Sequence, residues 1–298
     1  MKNTVRLLMA AVAVLACAAS CREPLYEEAS QYRLEFDYST EGMYFVDRGR
    51  PELVSVILYD RLTGKKVMQE FMQPEGGALT VGPGSYSLVA YAFDTKVTTV
   101  KDEDYFTTIK AVTESRRDQN YTYIKMPDRL WAVSEKEISL PFMTEGDETY
   151  VVRETMRTAF DDYLLVVTGV TGLENAGAVE CYITGQVPCR YLGNGSGDME
   201  EVVLYFAGVK DLEKGEICTP FSTFGRLSGK PSRLMLNMNI AGANGAVYSC
   251  VQDITSQFER EDHIITIDYQ QHIEPKEEGG VDPSVRQWDE EFNDWRIE

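Results

Sequence analysis

Two histidines, six cysteines and a large excess of carboxylates are the side chains through which this chain could carry chemistry. A nucleophilic serine needs a histidine base, itself held by a carboxylate. His263 follows Asp262 at the expected start of a strand, and His272 stands at a strand exit. Both read as surface histidines. No G-x-S-x-G elbow, H-E-x-x-H helix or G-x-x-x-x-G-K-[ST] loop occurs. The adjacent carboxylates Asp161-Asp162, Glu200-Glu201 and Glu277-Glu278 read as solvated faces or turns, whereas a glycosidase needs two carboxyls placed across a cleft. The run Gly193-Asn194-Gly195-Ser196-Gly197-Asp198 lacks the lysine and the strand-to-helix setting of a phosphate loop, so it reads as a hairpin connection. Asn194 and Asp198 offer too few oxygens for calcium, which takes six or more. Zinc is disfavoured because no C-x-x-C pair occurs. The expectation is a non-enzymatic protein with no metal and no cofactor.

Cys21 has a chemical setting of its own. Lys2 and Arg6 precede an apolar run, Leu7 to Ala16, of the length of a signal-peptide core and too short to span a bilayer. Ala18-Ala19-Ser20 then lead into Cys21. Small residues before a cysteine resemble a bacterial lipobox, in which the cysteine is acylated and becomes the new N-terminus. Ala18 stands where leucine is usual. Cys17 is a rival site, but Cys21 leaves the longer apolar core and opens onto the polar Arg22-Glu23-Pro24. An ordinary cleaved signal without lipid is the alternative. Residues 1–20 are therefore expected to be an address, and losing Lys2 and Arg6 takes the net charge from −19 to −21. Residues 21–30 are expected to form a lipidated tether, with several acyl chains anchoring stably to a membrane. Its Glu23, Glu27 and Glu28 resemble the surface-export signal of Bacteroidetes lipoproteins.

The four remaining cysteines, Cys181, Cys189, Cys218 and Cys250, allow three disulfide pairings, and an exported protein can oxidise them. A local bridge between Cys181 and Cys189, which flank Gly185 and Pro188, is one of these. The acidic balance disfavours nucleic acid, since phosphates are repelled and no basic stripe appears. Seventeen tyrosines and three tryptophans suit carbohydrate stacking or protein contacts, with Trp131 the first candidate for a glycan, but strand tyrosines with buried rings and a tryptophan in the core are the stronger reading.

The elements that would position these residues are strands. Apolar residues alternate at Leu34 and Phe36, at Val54, Val56 and Leu58, and at Tyr86, Leu88 and Ala90 after the Gly82-Pro83-Gly84 turn. Leu62-Thr63-Gly64 turns one strand back on the next. Further strands are expected at 97–100, 106–112, 130–133 and 137–140. A second series covers 163–167, 178–184, 202–206, 234–240, 247–251 and 264–269. Short strands at regular spacing without long amphipathic helices predict an all-β chain of two tandem β-sandwich domains, 31–145 and 146–272. The weakest patterning between them is Thr144-Glu145-Gly146-Asp147-Glu148. The acidic tail 273–298 places Val281, Val285, Trp288, Phe292 and Trp295 at helical spacing, with Asp282 as a cap and Pro283 at the first helical position. It reads as a short segment that docks on the body or on a partner.

The lipobox-like start, the strand LTVGPGSYSLVAY (79–91), Leu130-Trp131-Ala132 and Thr223-Phe224-Gly225 together resemble the fimbrillin-like lipoproteins of Bacteroidales, which include anchor and accessory subunits of type V pili. The resemblance spans about 22–272. It implies two sandwiches of transthyretin-like topology, lipid attachment to the outer membrane at the cell surface, and a part in fimbrial assembly or adhesion. It also implies other fimbrial subunits as partners, joined by β-strand addition. The helical spacing of the tail is unlike a donor strand and favours an anchor or accessory role. The alternative is a surface glycan-binding lipoprotein of a nutrient-uptake system.

Overall fold

The computed structural model describes residues 32–276 apart from 42–43, 46–49, 93, 145 and 228–232. Cys17, Cys21, the tether 21–30 and the expected tail helix lie outside the described residues. The architecture is all β. The first ten strands are β1 (Tyr32–Tyr38), β2 (Val54–Asp60), β3 (Lys66–Met72), β4 (Gly76–Leu79), β5 (Gly84–Ala92), β6 (Thr99–Lys101), β7 (Lys110–Val112), β8 (Ser115–Arg117), β9 (Thr122–Lys125) and β10 (Trp131–Leu140). They are followed by β11 (Tyr150–Thr158), β12 (Asp161–Thr171), β13 (Ala176–Gln186), β14 (Cys189–Tyr191), β15 (Val202–Ala207), β16 (Lys210–Asp211), β17 (Glu216–Thr223), β18 (Met235–Gly242), β19 (Val247–Asp253) and β20 (Ile264–His272). Short 3-10 turns occupy Leu173–Asn175 and Thr255–Glu259. No helix among the described residues is long and apolar enough to cross a membrane.

The first large sheet has the order β3-β2-β5-β10-β11-β1-β4. It begins with the hairpin expected from Leu62-Thr63-Gly64. There Gly64 takes a φ of 69°, and Asp60 accepts the Thr63 amide at 2.7 Å. β2 is buried along almost its whole length, as its continuous apolar run requires in a sheet covered on both faces. β11 joins β10 only through Trp131↔Thr158 and Ala132↔Arg157. The parts on either side of that narrow junction contribute Val56, Leu58 and Leu88, and Leu34, Phe36 and Met156, to a common core. The segments expected as separate strands at 130–133 and 137–140 form one strand, β10, with a bulge between Val133 and Lys136.

The second half pairs a four-stranded sheet, β16-β17-β12-β20, with a six-stranded sheet, β19-β18-β13-β15-β9-β8. Phe221 on β17 stacks on Phe206 on β15 at 4.6 Å, so aromatic rings fill the space between the layers. β18 shows the alternation the sequence displays. Leu236, Met238 and Ile240 are buried, and Met235, Asn237 and Asn239 point outward.

Sheet membership does not follow the boundary expected at 145/146. β11 runs parallel to β1 in the first sheet, from Tyr32↔Tyr150 to Tyr38↔Met156. The crossing comes at Ala159, whose amide donates to Leu130 O at 2.9 Å. In the other direction, β8 and β9 extend the six-stranded sheet of the second half, and β14 completes a small sheet with β7 and β6. Strands exchanged both ways stitch the halves together, and one continuous hydrophobic cluster runs through both.

Candidate functional site: open sheet edges and a tyrosine cleft

The residues that could have been catalytic are structural. His263 has a φ of 53°, its Nδ1 lies 2.8 Å from Asp162 O, and its ring stacks between Tyr44 at 4.1 Å and Tyr163 at 4.8 Å. His272 Nδ1 lies 2.9 Å from the Thr171 hydroxyl at the sheet surface. Gly193 to Asp198 form a return loop onto β14, with the Tyr191 amide donating to Ser196 O at 2.8 Å and Asn194 Oδ1 accepting the Ser196 hydroxyl at 2.7 Å. Gly193 is required there, because a Cβ would stand 1.8 Å from Phe106 O. Cys181, Cys189, Cys218 and Cys250 are all free thiols, so the local Cys181–Cys189 bridge is not formed. Cys181 and Cys250 share an inward face, each opposite Met238 on an intervening strand. Burial pushes the Cys181 thiol up to about 12 and the Cys189 thiol up to about 11. Such thiols are poor nucleophiles.

Burial decides between the two readings of Trp131 and corrects that of Asp162. Trp131 is 5% exposed, and its ring meets Tyr38 edge-on at 5.3 Å, so it serves the core and no glycan can stack on it. Asp162 is not on a solvated face. Its carboxylate pairs with Arg129 Nη2, the side chains being 1% and 0% exposed, and accepts the Ser222 hydroxyl at 2.7 Å. Arg129 precedes β10 and Asp162 opens β12, so this buried pair clamps the two halves at the crossing. Alternation could not reveal it, because an ion pair across sheets has no period.

What the surface does offer is strand edges. An edge strand presents unpaired amides and carbonyls to any second strand. The β20 edge is covered at Thr266: Gln257 Oε1 accepts the Thr266 amide at 2.8 Å, and its Nε2 donates to Thr266 O at 3.2 Å. One side-chain amide thus imitates a neighbouring strand. β8 is short and carries Arg116 and Arg117. β3 and β19 are longer. β3 exposes Val67 and Phe71, and β19 exposes Val247 and Val251. The Lys66 amide at the start of β3 is taken by Asp104 O at 2.9 Å, and the rest of that strand closes its sheet.

The other feature lies on the outer face of the six-stranded sheet. The pairings Lys125↔Tyr205, Tyr205↔Tyr182, Tyr182↔Asn237 and Asn237↔Val251 run one row of side chains across five strands. Tyr182 and Tyr205 stand 5.3 Å apart at 45°, and Tyr123 meets Tyr182 edge-on at 6.1 Å. Tyr123, Tyr182 and Tyr205 wall a cleft of about 200 Å³ whose rim carries Arg116, Asp118 and Lys125. Asp118 accepts the amides of Asn120 and Tyr121, each at 2.7 Å, and these bonds hold its carboxyl below the usual range. Glu180 accepts the Tyr182 hydroxyl at 3.1 Å, and burial raises its carboxyl above the usual range. The cleft brings aromatic rings, hydroxyls and charged groups together on one face of the sheet.

Known proteins resemble this chain in sequence or in fold. A protein of Bacteroides ovatus provisionally described as the fimbrium anchoring subunit Fim4B is 25% identical over 170 residues, which are 56% of this chain and 49% of that protein. The match therefore spans about half the length of the curated relative. A crystal structure of a candidate adhesin from Bacteroides ovatus superimposes with a TM-score of 0.59 at 21% identity, covering 87% of this chain and 98% of the other. A second candidate adhesin from Bacteroides ovatus gives a TM-score of 0.51 at 11% identity, over 80% of this chain and 87% of that one. These likenesses establish the fold. Residues 21–207, more than half of the sequence, match a family profile, and the chain belongs to that family, described as a domain of unknown function, DUF5119.

Proposed function

We propose that this chain is a cell-surface subunit that anchors or assembles fimbriae and takes part in adhesion, without enzymatic activity. The observation that carries the reading is the match to a relative described as a fimbrium anchoring subunit. The all-β body, with long strand edges at β3 and β19, suits association by strand addition, in which main-chain hydrogen bonds supply affinity. The Gln257 cap on Thr266 opposes such pairing at that point of β20. In the same reading Cys21 carries the lipid that holds the protein to the outer membrane, and residues 21–30 lead from the lipid to the body. Partners are other fimbrial subunits.

Fractionation of cells carrying Cys21→Ala tests the anchoring. The variant is expected to leave the membrane fraction, and fibres should appear in the medium. Membrane retention equal to that of the unaltered chain would overturn the lipid-anchored role.

A further inference from the structure

The geometry points to the tyrosine cleft between β8, β9, β13 and β15 as a binding site for a neutral saccharide unit of a glycan. This inference goes beyond the fimbrial reading and does not depend on how the chain is anchored.

A pyranose has apolar C–H faces and a rim of hydroxyls. Its recognition calls for aromatic walls flanked by fixed donors and acceptors. The cleft supplies both. Tyr123, Tyr182 and Tyr205 form the walls, and its volume of about 200 Å³ is on the scale of a single sugar unit rather than a folded partner. Asp118 is held ionised in its turn by the Asn120 and Tyr121 amides and acts as a fixed acceptor. Arg116, opposite Tyr123 in the β8–β9 pairing, supplies a forked donor on the same rim.

Charge selects the class of ligand. Lys125 is paired with Glu114, Arg116 faces Asp118, and Glu180 lies one alternate residue from Tyr182. The two cations of the wall, Arg116 and Lys125, each have a carboxylate beside them, Asp118 in the wall and Glu114 just outside it, on a chain whose net charge is −19. A sulfated or sialylated glycan would meet no surplus cation here, and a neutral sugar would meet donors and acceptors already oriented. Beyond the cleft, the row continues through Asn237 on β18, where Asn239 accepts the Ser249 hydroxyl at 2.8 Å. Further units of a chain would therefore meet the amides of β18 first and the exposed Val251 on β19 beyond them.

The test is an array of immobilised neutral and acidic oligosaccharides probed with the full chain extracted from membranes in detergent. A hit is then titrated calorimetrically with the free oligosaccharide. The expected result is retention by neutral sugars, with affinity falling about tenfold for Tyr182→Ala, as for loss of one stacked ring. Asp118→Asn, an exposed and structurally mild change, should weaken binding by a similar factor and keeps the test valid if Tyr182→Ala fails to fold. Tyr105→Ala, exposed on the other half, should leave affinity unchanged. Absence of any neutral hit, retention confined to acidic sugars, or affinity indifferent to both cleft variants would overturn the inference. None of these outcomes bears on fibre assembly, which is read separately from membrane fractionation.

Discussion

Replacing Arg129 by methionine removes one partner of a pair that is almost wholly withdrawn from water. The Asp162 carboxylate is 1% exposed and would retain, of its bonded donors, only the Ser222 hydroxyl at 2.7 Å. Its main-chain oxygen is engaged separately by His263 Nδ1 at 2.8 Å. A charge left buried after loss of its partner costs about 3–5 kcal/mol. For a body of this size, each 1 kcal/mol lowers the melting temperature by roughly 2–4 °C, so the expected fall is about 6–20 °C. The assay is thermal unfolding at neutral pH, followed by both far-ultraviolet dichroism and tryptophan fluorescence. Probes that coincide support a cooperative transition across the two halves. The double variant Arg129→Met/Asp162→Leu removes both charges and should recover most of the loss, because buried pairs are often replaceable by apolar groups. A single-variant loss below about 1 kcal/mol, the value of an exposed pair, would refute the reasoning: water would then reach the carboxylate, and the clamp between β10 and β12 would not exist.

Alkali is expected to destabilise the fold. Burial raises the Tyr59, Tyr91 and Tyr163 hydroxyls well above their ordinary value, and pushes Tyr38 and Cys181 up to about 12. The unfolded chain releases these protons near pH 8.5 for cysteine and about 10 for tyrosine, whereas the folded chain keeps them, so their contribution is whole below those values and is lost as pH rises towards about 12. A urea midpoint that does not fall between pH 8 and pH 11 would contradict this. Gln257→Ala uncovers the Thr266 amide and carbonyl on β20, and light scattering should show stronger concentration-dependent self-association at a stability cost of about 1 kcal/mol; unchanged scattering would show that the edge is protected otherwise. Of the four body thiols, Cys218 should react first with a thiol reagent, since the other three are buried, and prompt reaction of Cys181 in the native chain would contradict the packing.

Strands were legible where one face is buried and the other wet. The alternation at 234–240 and the run at 264–269 correspond to β18 and β20 because their inward residues meet the core every second position. Pairing was not legible. β1 and β11 are joined in parallel across most of the first half, and a parallel partner leaves no local turn signal of the kind a hairpin gives. The sparse apolar patterning at 144–148 marks a loop inside the first sheet rather than the passage to the second. β8 and β9 were missed because Ser115-Arg116-Arg117 has no apolar residue and β9 shows little contrast between its faces. These two strands bring Arg116, Tyr123 and Lys125 to the cleft, so the site shares their lack of a sequence signal. Tyr182 and Tyr205 become neighbours only through the β13–β15 register. Composition shows the abundance of tyrosine but not which rings share an exposed face, and Trp131 belongs to the core.

The fimbrial role is tested most directly by immunoblotting membranes from native cells, with samples loaded either unheated or boiled in detergent. Subunits joined by strand addition share continuous main-chain hydrogen bonding and resist detergent until heated. The account predicts a ladder of high-mass species that contains this chain in the unheated lane and collapses to a single band on boiling. A single band at the mass of the lone chain in both lanes would contradict stable incorporation into a fibre.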